Sequence, residues 1–173
     1  DLGYKSGQEL GNSPEAAQEV TKVVCEAVKV PVFVKLTSEA VNIVDVAKRC
    51  QSAGAAGFTV VNRFSALDVD LSNGRPLLHG GFAGVGGPWM RPITLKWIAK
   101  IALATGLPIS ATNGIFSWED VVKSIMCGAT TVQTCTALMY GKKQFGEVAE
   151  FLKGVENYLT EKGLDSLVQL RGI

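Results

Sequence analysis

Four short runs, Pro31 to Leu36, Gly57 to Val61, Leu107 to Thr112 and Thr130 to Thr134, are rich in apolar and β-branched residues and do not alternate apolar with polar. Strands apolar on both faces belong to sheets covered on both sides, which for strands separated by long connections means a parallel sheet. Helical patterns fill the intervals. Pro14 opens one behind Asn12-Ser13, with Ala17, Val20, Val24 and Val28 on one face. Val41 to Ala53 brings together Val44, Ala47 and Cys50 before Gly54, and Pro92 to Thr105 brings together Ile93, Trp97, Ile98 and Ile101 before Gly106. Ser117 caps Trp118 to Cys127, with Asp120 in the capping-box position and Gly128 at the far end. A last amphipathic helix runs from about Gln144 to Lys162. A helix followed by βα units gives an α/β fold with right-handed crossovers.

Two of the strands end alike. Pro108-Ile109-Ser110-Ala111-Thr112 leads into Asn113-Gly114-Ile115, and Thr131-Val132-Gln133-Thr134 leads into Cys135-Thr136-Ala137-Leu138. Adjacent strand ends that each open on a helix make a phosphate seat: free N–H groups and the positive ends of two helix dipoles converge on one anion, and small residues let its oxygens approach. In a (β/α)8 barrel the loops after the last two strands commonly hold such a site. The long irregular stretch from Arg63 to Pro92 is a binding or lid segment by its length. Its glycines, Gly80 to Gly87, fit that reading and fit equally a set of flexible turns.

With 173 residues the chain has the length of one domain, short of the roughly 250 of a whole (β/α)8 barrel. A net charge of +1 with 19% charged residues leaves no basic surface for nucleic acid. Charged residues interrupt every long apolar stretch, so no membrane span is expected, and Asp1-Leu2-Gly3-Tyr4-Lys5 is not a signal peptide. Cys25, Cys50, Cys127 and Cys135 are scattered with no Cys-x-x-Cys and read as reduced thiols of a cytoplasmic protein. His79 is the single histidine, which removes histidine triads and multi-histidine metal sites.

Taken in order, these residues resemble the FMN-binding (β/α)8 barrel, or TIM barrel, of the dihydroorotate dehydrogenase family, and only its C-terminal half, strands five to eight. Val32-Phe33-Val34-Lys35-Leu36-Thr37 resembles the fifth strand with its flavin lysine, and Val60-Val61-Asn62 the sixth with its asparagine. Gly80-Gly81-Phe82-Ala83-Gly84 followed by Arg91-Pro92-Ile93 resembles the Gly-Gly-x-x-Gly loop before the sixth helix. Thr112-Asn113-Gly114-Ile115 and Val132-Gln133-Thr134-Cys135-Thr136-Ala137 resemble the two phosphate loops.

The resemblance implies that residues 1–173 form that half barrel as one unit, with a missing N-terminal half as its partner. FMN is the implied cofactor, held by Lys35, Gly80, Gly81, Asn113, Gly114, Cys135 and Thr136, with Asn62 and Arg63 on the substrate. Lys35 would lie at the pyrimidine side of the flavin and stabilise the charge that builds there on reduction. The catalytic Cys or Ser of the family belongs to a loop upstream of Gly7 to Glu15, so no catalytic residue is expected in this chain. Ser65 to Leu71, Val132 to Ala137, Glu161-Lys162-Gly163 and Ser166-Leu167 resemble most the branch of the bacterial NAD-dependent dihydropyrimidine dehydrogenases, with the dihydroorotate enzymes of pyrimidine biosynthesis as the alternative. The implied reaction moves a hydride between a pyrimidine ring CH–CH bond and the flavin. NAD, FAD and iron–sulfur centres would reside on other segments or on an electron-transfer subunit of an oligomer.

Asn113-Gly114 stands where the family has Gly-Gly, which asparagine's tolerance of left-handed backbone permits. Arg63 replaces the family's Thr or Ser, and Val85-Gly86-Gly87-Pro88 lengthens the loop. On pattern alone, Lys35 is either an exposed strand-end lysine or one that meets an anion, Asn62 is also a turn former, and Cys135 is a small backbone donor rather than a nucleophile. Trp89 is a lid candidate, and His79 a solvated loop residue. Two other functions remain open: a phosphate-ligand TIM-barrel aldolase or isomerase using Lys35, and a non-catalytic assembly subunit.

Overall fold

The computed structural model describes residues 7–78 and 81–172. Helices α1 (Gly7–Asn12) and α2 (Pro14–Ala27) precede strand β1 (Phe33–Leu36), helix α3 (Ile43–Ser52) and strand β2 (Gly57–Val60). The stretch expected to be irregular instead pairs into two antiparallel ribbons, β3 (Phe64–Ala66) with β6 (Ala83–Val85) and β4 (Val69–Asp70) with β5 (Arg75–Pro76). A 3-10 turn at Pro88–Met90 then enters α4 (Arg91–Thr105), followed by β7 (Ile109–Ala111), α5 (Trp118–Met126), β8 (Thr131–Val132), α6 (Thr136–Tyr140), α7 (Gly146–Lys162) and a 3-10 turn at Leu167–Leu170.

β1, β2, β7 and β8 form one four-stranded parallel sheet in that order. Consecutive helices pack side by side, α2 on α3, α3 on α4, α4 on α5 and α5 on α7. One row of helices along a parallel sheet is the arrangement of a partial (β/α) barrel, since a doubly wound sheet would separate alternate helices onto opposite faces.

Burial follows sheet position. In the two central strands Phe58, Val60, Ile109 and Ala111 are fully buried. The outer strands depart from the expectation of burial on both faces: Phe33 and Lys35 of β1 and Thr131 of β8 are exposed, because each strand has a neighbour on one side only. α2 shows the same asymmetry. Ala17 and Thr21 turn inward, towards α3, while Val20 and Val24 are 45% and 41% exposed and Val28 is also exposed. The expected face of α2 was therefore drawn one position off the side that α3 covers.

α3 starts two residues later than expected because Asn42 is its cap, its side-chain oxygen accepting from the Asp45 N–H at 3.2 Å. Ile43, Val46, Ala47 and Cys50 form its buried face, and Val44 is half-buried. In α4, Thr94, Ile98 and Ile101 are buried, whereas Trp97, expected on the apolar face, is half-buried beneath the Lys96 ammonium, 4.0 Å from its ring centre. Among the described residues no helix is long and apolar enough to cross a membrane.

α7 docks on α5 through Trp118, whose ring lies 5.8 Å from that of Tyr158 and directly against Gly154. A side chain at Gly154 would overlap the Trp118 ring. Gly154→Val should therefore lower stability by about 1–3 kcal/mol, the usual cost of overpacking. The check is the chemical-denaturation midpoint, which should fall; an unchanged midpoint would mean that α7 does not depend on this contact.

Candidate functional site

The parallel ladder runs to the C-terminal ends of the strands and then lets go. Asn62 N–H donates to the Leu36 carbonyl at 2.7 Å, Thr112 N–H to Val60 at 2.7 Å and Gln133 N–H to Ala111 at 2.8 Å. Beyond these bonds the chain leaves the sheet at Asn113 to Ile115 and at Thr134 to Thr136, where ligands of parallel α/β folds bind. A pocket of ≈ 340 Å³ opens there. Of the residues expected from sequence, it brings together Lys35, Arg63, Asn113, Gly114, Cys135 and Thr136.

Asn113 and Gly114 both adopt left-handed backbone, with φ of 76° and 86°. The Asn113 side-chain amide donates to the Asn62 backbone carbonyl at 3.4 Å, and the Asn113 backbone carbonyl accepts from the Thr94 hydroxyl at 2.9 Å. The Thr134 hydroxyl donates to the Ile115 carbonyl at 2.9 Å and so ties the two loops together. Among the described residues, the backbone N–H groups of Gly114, Ile115, Cys135 and Thr136 have no protein acceptor. Unmet donors at the rim of a pocket are what an anion would satisfy.

The expected pair of helix starts is corrected to one. α5 begins only at Trp118, and the N–H groups of Phe116 and Ser117 before it already donate to Asp120, at 2.9 and 3.1 Å. α6 does start at the pocket, but it has only 5 residues. Free N–H groups and side-chain charge, rather than two converging macrodipoles, give the pocket its positive character. Among the described residues, Lys35 and Arg63 are the charged ones of the lining, and no Asp or Glu joins them. Among the described residues neither cation has a carboxylate within salt-bridge distance.

Gly114 also meets a steric demand from within the chain. A Cβ there would sit 2.5 Å from the Arg91 backbone nitrogen, so glycine makes room for the start of α4. Arg63 lies along β6, its guanidinium reaching the Gly84 carbonyl at 3.5 Å. A side chain at Gly84 would press on Arg63 Nε at 2.8 Å, and one at Gly86 would crowd its Cγ at 3.3 Å.

Not every expected residue joins the pocket. Asn62 contributes backbone contacts beside it but does not line it, and Gly81 stands apart. Gly80 and His79 lie outside the described residues. Trp89 stacks on Phe64 with ring centres 6.0 Å apart, which anchors it to the ribbon. Val61, Phe116 and Met139 line the pocket without having been expected there, and Thr112, Ile115, Gln133 and Thr134, quoted only as parts of the phosphate-loop motifs, line it too. For Gln133 a signal existed: it sits between strand and loop, and its amide donates to Ser110 at 2.8 Å. A larger cavity, ≈ 650 Å³, lies at the opposite ends of β7 and β8 among Ala102, Leu103, Leu107, Cys127 and Val168. It is mostly apolar, and it lies on the stability face of such folds rather than the functional one.

A family model described as dihydroorotate dehydrogenase matches residues 4–155. The catalytic subunit of dihydroorotate dehydrogenase B (NAD(+)) from Petrotoga mobilis is 34% identical over 98% of this chain and 55% of its own length. Its counterpart from Pyrococcus abyssi is 34% identical over 99% of the chain and 56% of its length, and that from Anoxybacillus flavithermus 40% over 77% and 43%. The chain thus spans about half the length of these relatives. Their names favour the dihydroorotate branch over the dihydropyrimidine branch that the residue-level resemblance had put first.

The cysteines differ in environment. Cys135 is exposed at the pocket, with its thiol 3.8 Å from Met139 Sδ, whereas burial pushes the Cys50 and Cys127 thiols above their ordinary pKa. A thiol-reactive dye at neutral pH should label Cys135 first and Cys50 last, because the thiolate is the reactive form and access is required. Peptide mapping of partially labelled protein checks this; Cys50 labelling as fast as Cys135 would contradict the fold around α3.

Proposed function

This chain belongs to the dihydroorotate dehydrogenase family, and from that premise we propose that it supplies the cofactor-holding part of an FMN-dependent oxidoreductase acting on a CH–CH bond of a pyrimidine ring, with dihydroorotate as substrate. The carrying observation is the donor set of the pocket: among the described residues, free N–H groups from Gly114, Ile115, Cys135 and Thr136 together with Lys35 and Arg63, and no carboxylate in the lining. That set fits a phosphorylated cofactor and excludes a cationic ligand on charge. At ≈ 340 Å³ the pocket is at the small end of the ~300–1,000 Å³ usual for ligand sites. It is therefore assigned to part of an FMN–substrate pair, the loop donors to the phosphate and the Lys35 and Arg63 side to the flavin and substrate, with further walls contributed from outside this chain.

FMN, when bound, supplies the hydride chemistry. The residues of the chain hold and polarise. Gly114, Ile115, Cys135 and Thr136 receive the phosphate through backbone N–H groups, and Asn113 shapes the turn that presents them. Lys35, at the end of β1, places an ammonium where negative charge is to be stabilised. Asn62 is assigned to the substrate's amide edges, next to the loop it already supports through its backbone. Arg63 is assigned to a substrate anion. A guanidinium pairs well with a carboxylate, and dihydroorotate carries one where a dihydropyrimidine such as dihydrouracil has none. The aldolase or isomerase reading loses its basis with the family assignment.

The wider assembly is part of the same proposal. The sheet is assigned to strands five to eight of a (β/α)8 barrel, with the remaining strands pairing along the edges of β1 and β8. The exposed Phe33 of β1 and the exposed Val20 and Val24 of α2 are surfaces that such a neighbour would cover. The relatives are named as catalytic subunits of an NAD-linked enzyme, which suggests an electron-transfer subunit carrying FAD and iron–sulfur centres. Free thiols at Cys25, Cys50, Cys127 and Cys135 suit a reducing compartment such as the cytoplasm.

The complete protein is expected to purify yellow and to release FMN. A colourless sample that gains no flavin absorbance on adding FMN would refute the reading. Lys35→Ala should slow reduction of bound flavin while leaving the folded state intact, as followed by stopped-flow absorbance and circular dichroism. For the substrate, Arg63→Thr should raise KM for dihydroorotate by about 10–100-fold, the range for losing one charge-assisted hydrogen bond. Steady-state kinetics on dihydroorotate and dihydrouracil side by side decide the matter: equal losses on both would remove Arg63 from carboxylate recognition.

A further inference from the structure

Asp120 is only 1% exposed, although it stands in the first turn of a surface helix where a capping carboxylate could face water. A buried carboxylate is costly unless its oxygens are met by donors. Here both are. Oδ2 accepts from the N–H groups of Phe116 and Ser117 at 2.9 and 3.1 Å, and Oδ1 accepts from Arg91 Nη1 at 2.8 Å. Capping α5 would account for the first two bonds. The third joins the cap to the opening residue of a different helix, α4.

α4 grips the other end of the same loop. The buried Thr94 hydroxyl donates to the Asn113 carbonyl at 2.9 Å, and the Arg91 backbone backs Gly114 so closely that no Cβ fits between them. The segment from Asn113 to Ser117 is thus tied down by Thr94 at its start and by Asp120 at its end. Between these ties the N–H groups of Gly114 and Ile115 have no acceptor among the described residues and border the pocket. Donors held in place before a ligand arrives bind an anion without paying again to be ordered.

We propose that Asp120, acting with Arg91 and Thr94, is the positioning group that holds the Asn113–Ser117 loop for a phosphate, and so sets how strongly the protein prefers a phosphorylated flavin to one without phosphate. The inference rests on the FMN reading above. It touches no reacting atom: its effect is confined to the phosphate end of the ligand, and this distinguishes it from a general contribution to stability.

The experiment titrates the complete apoprotein with FMN and with riboflavin, following the quenching of flavin fluorescence. Wild-type protein should prefer FMN. Asp120→Asn leaves one of three donors without an acceptor and should weaken FMN binding by about tenfold or more, the scale of a lost charge-assisted bond, with riboflavin affinity unchanged within about twofold. Thr94→Val keeps the Arg91–Asp120 ion pair and should shift the preference the same way by less, and it carries the test if Asp120→Asn does not fold. Parallel losses for both flavins, or a wild-type preference that survives both substitutions, would overturn the inference alone. A wild-type protein with no preference for FMN would overturn the functional reading and the inference with it.

Discussion

The ladder between β2 and β7 is the constraint on which everything else hangs. It pairs Phe58 with Ile109, Thr59 with Ser110 and Val60 with Ala111. Its side chains Phe58, Val60, Ile109 and Ala111 are fully buried, and α4 packs against both strands. A one-residue slip would turn those residues to the wrong face, so the register is strongly held. Where the strands stop, the pocket starts: the bonds from Thr112 to Val60 and from Asn62 to Leu36 place the ends of three strands at one level. The loops that follow then project their backbone donors to the same side.

Two features of the pocket work together on charge. Backbone donors point fixed partial charges into it, and Lys35 and Arg63 add whole charges that no carboxylate among the described residues pairs with. Negative charge is kept in the layer behind. Asp120 is turned away from the pocket and spent on Phe116, Ser117 and Arg91. The ribbon of β3 and β6 enters this scheme through Arg63, which lies across Gly84, and through the 3-10 turn that delivers Arg91 to the loop it supports. β1 and β8 are the outer strands of the sheet, and Val20 and Val24 of α2 are exposed.

Much of the site was legible because its chemistry is local. Asn113-Gly114 after a strand announces left-handed backbone, and both residues adopt it. Ser117 with Asp120 announces a helix start, and the Asp120 carboxylate does reach back to the Ser117 N–H. What stayed hidden was pairing over distance. The ribbon of β3 and β6 joins Phe64 to Val85 and Ser65 to Gly84, with strands of 3 residues each, too short to show a period. The Arg91 to Asp120 bond spans 29 positions, and nothing local to either residue names the other. Gly114 was visible as a needed glycine, but the close approach of α4 that also demands it was not.

By itself, then, the sequence determined the α/β class, the positions of the parallel strands, the helix starts at Ser13 and Ser117, and the small-residue turns after β7 and β8. These follow from φ/ψ preferences and apolar periodicity, which act over a few neighbouring residues. Only the tertiary structure decided that β1 and β8 are the edge strands, that Val20 and Val24 face outward, that α5 starts beyond the pocket, and that Arg63 lies across Gly84. Those outcomes depend on which remote segments compete for the same space, and a steric or hydrogen-bonded approach between residues far apart in the chain leaves no mark in either one's local sequence.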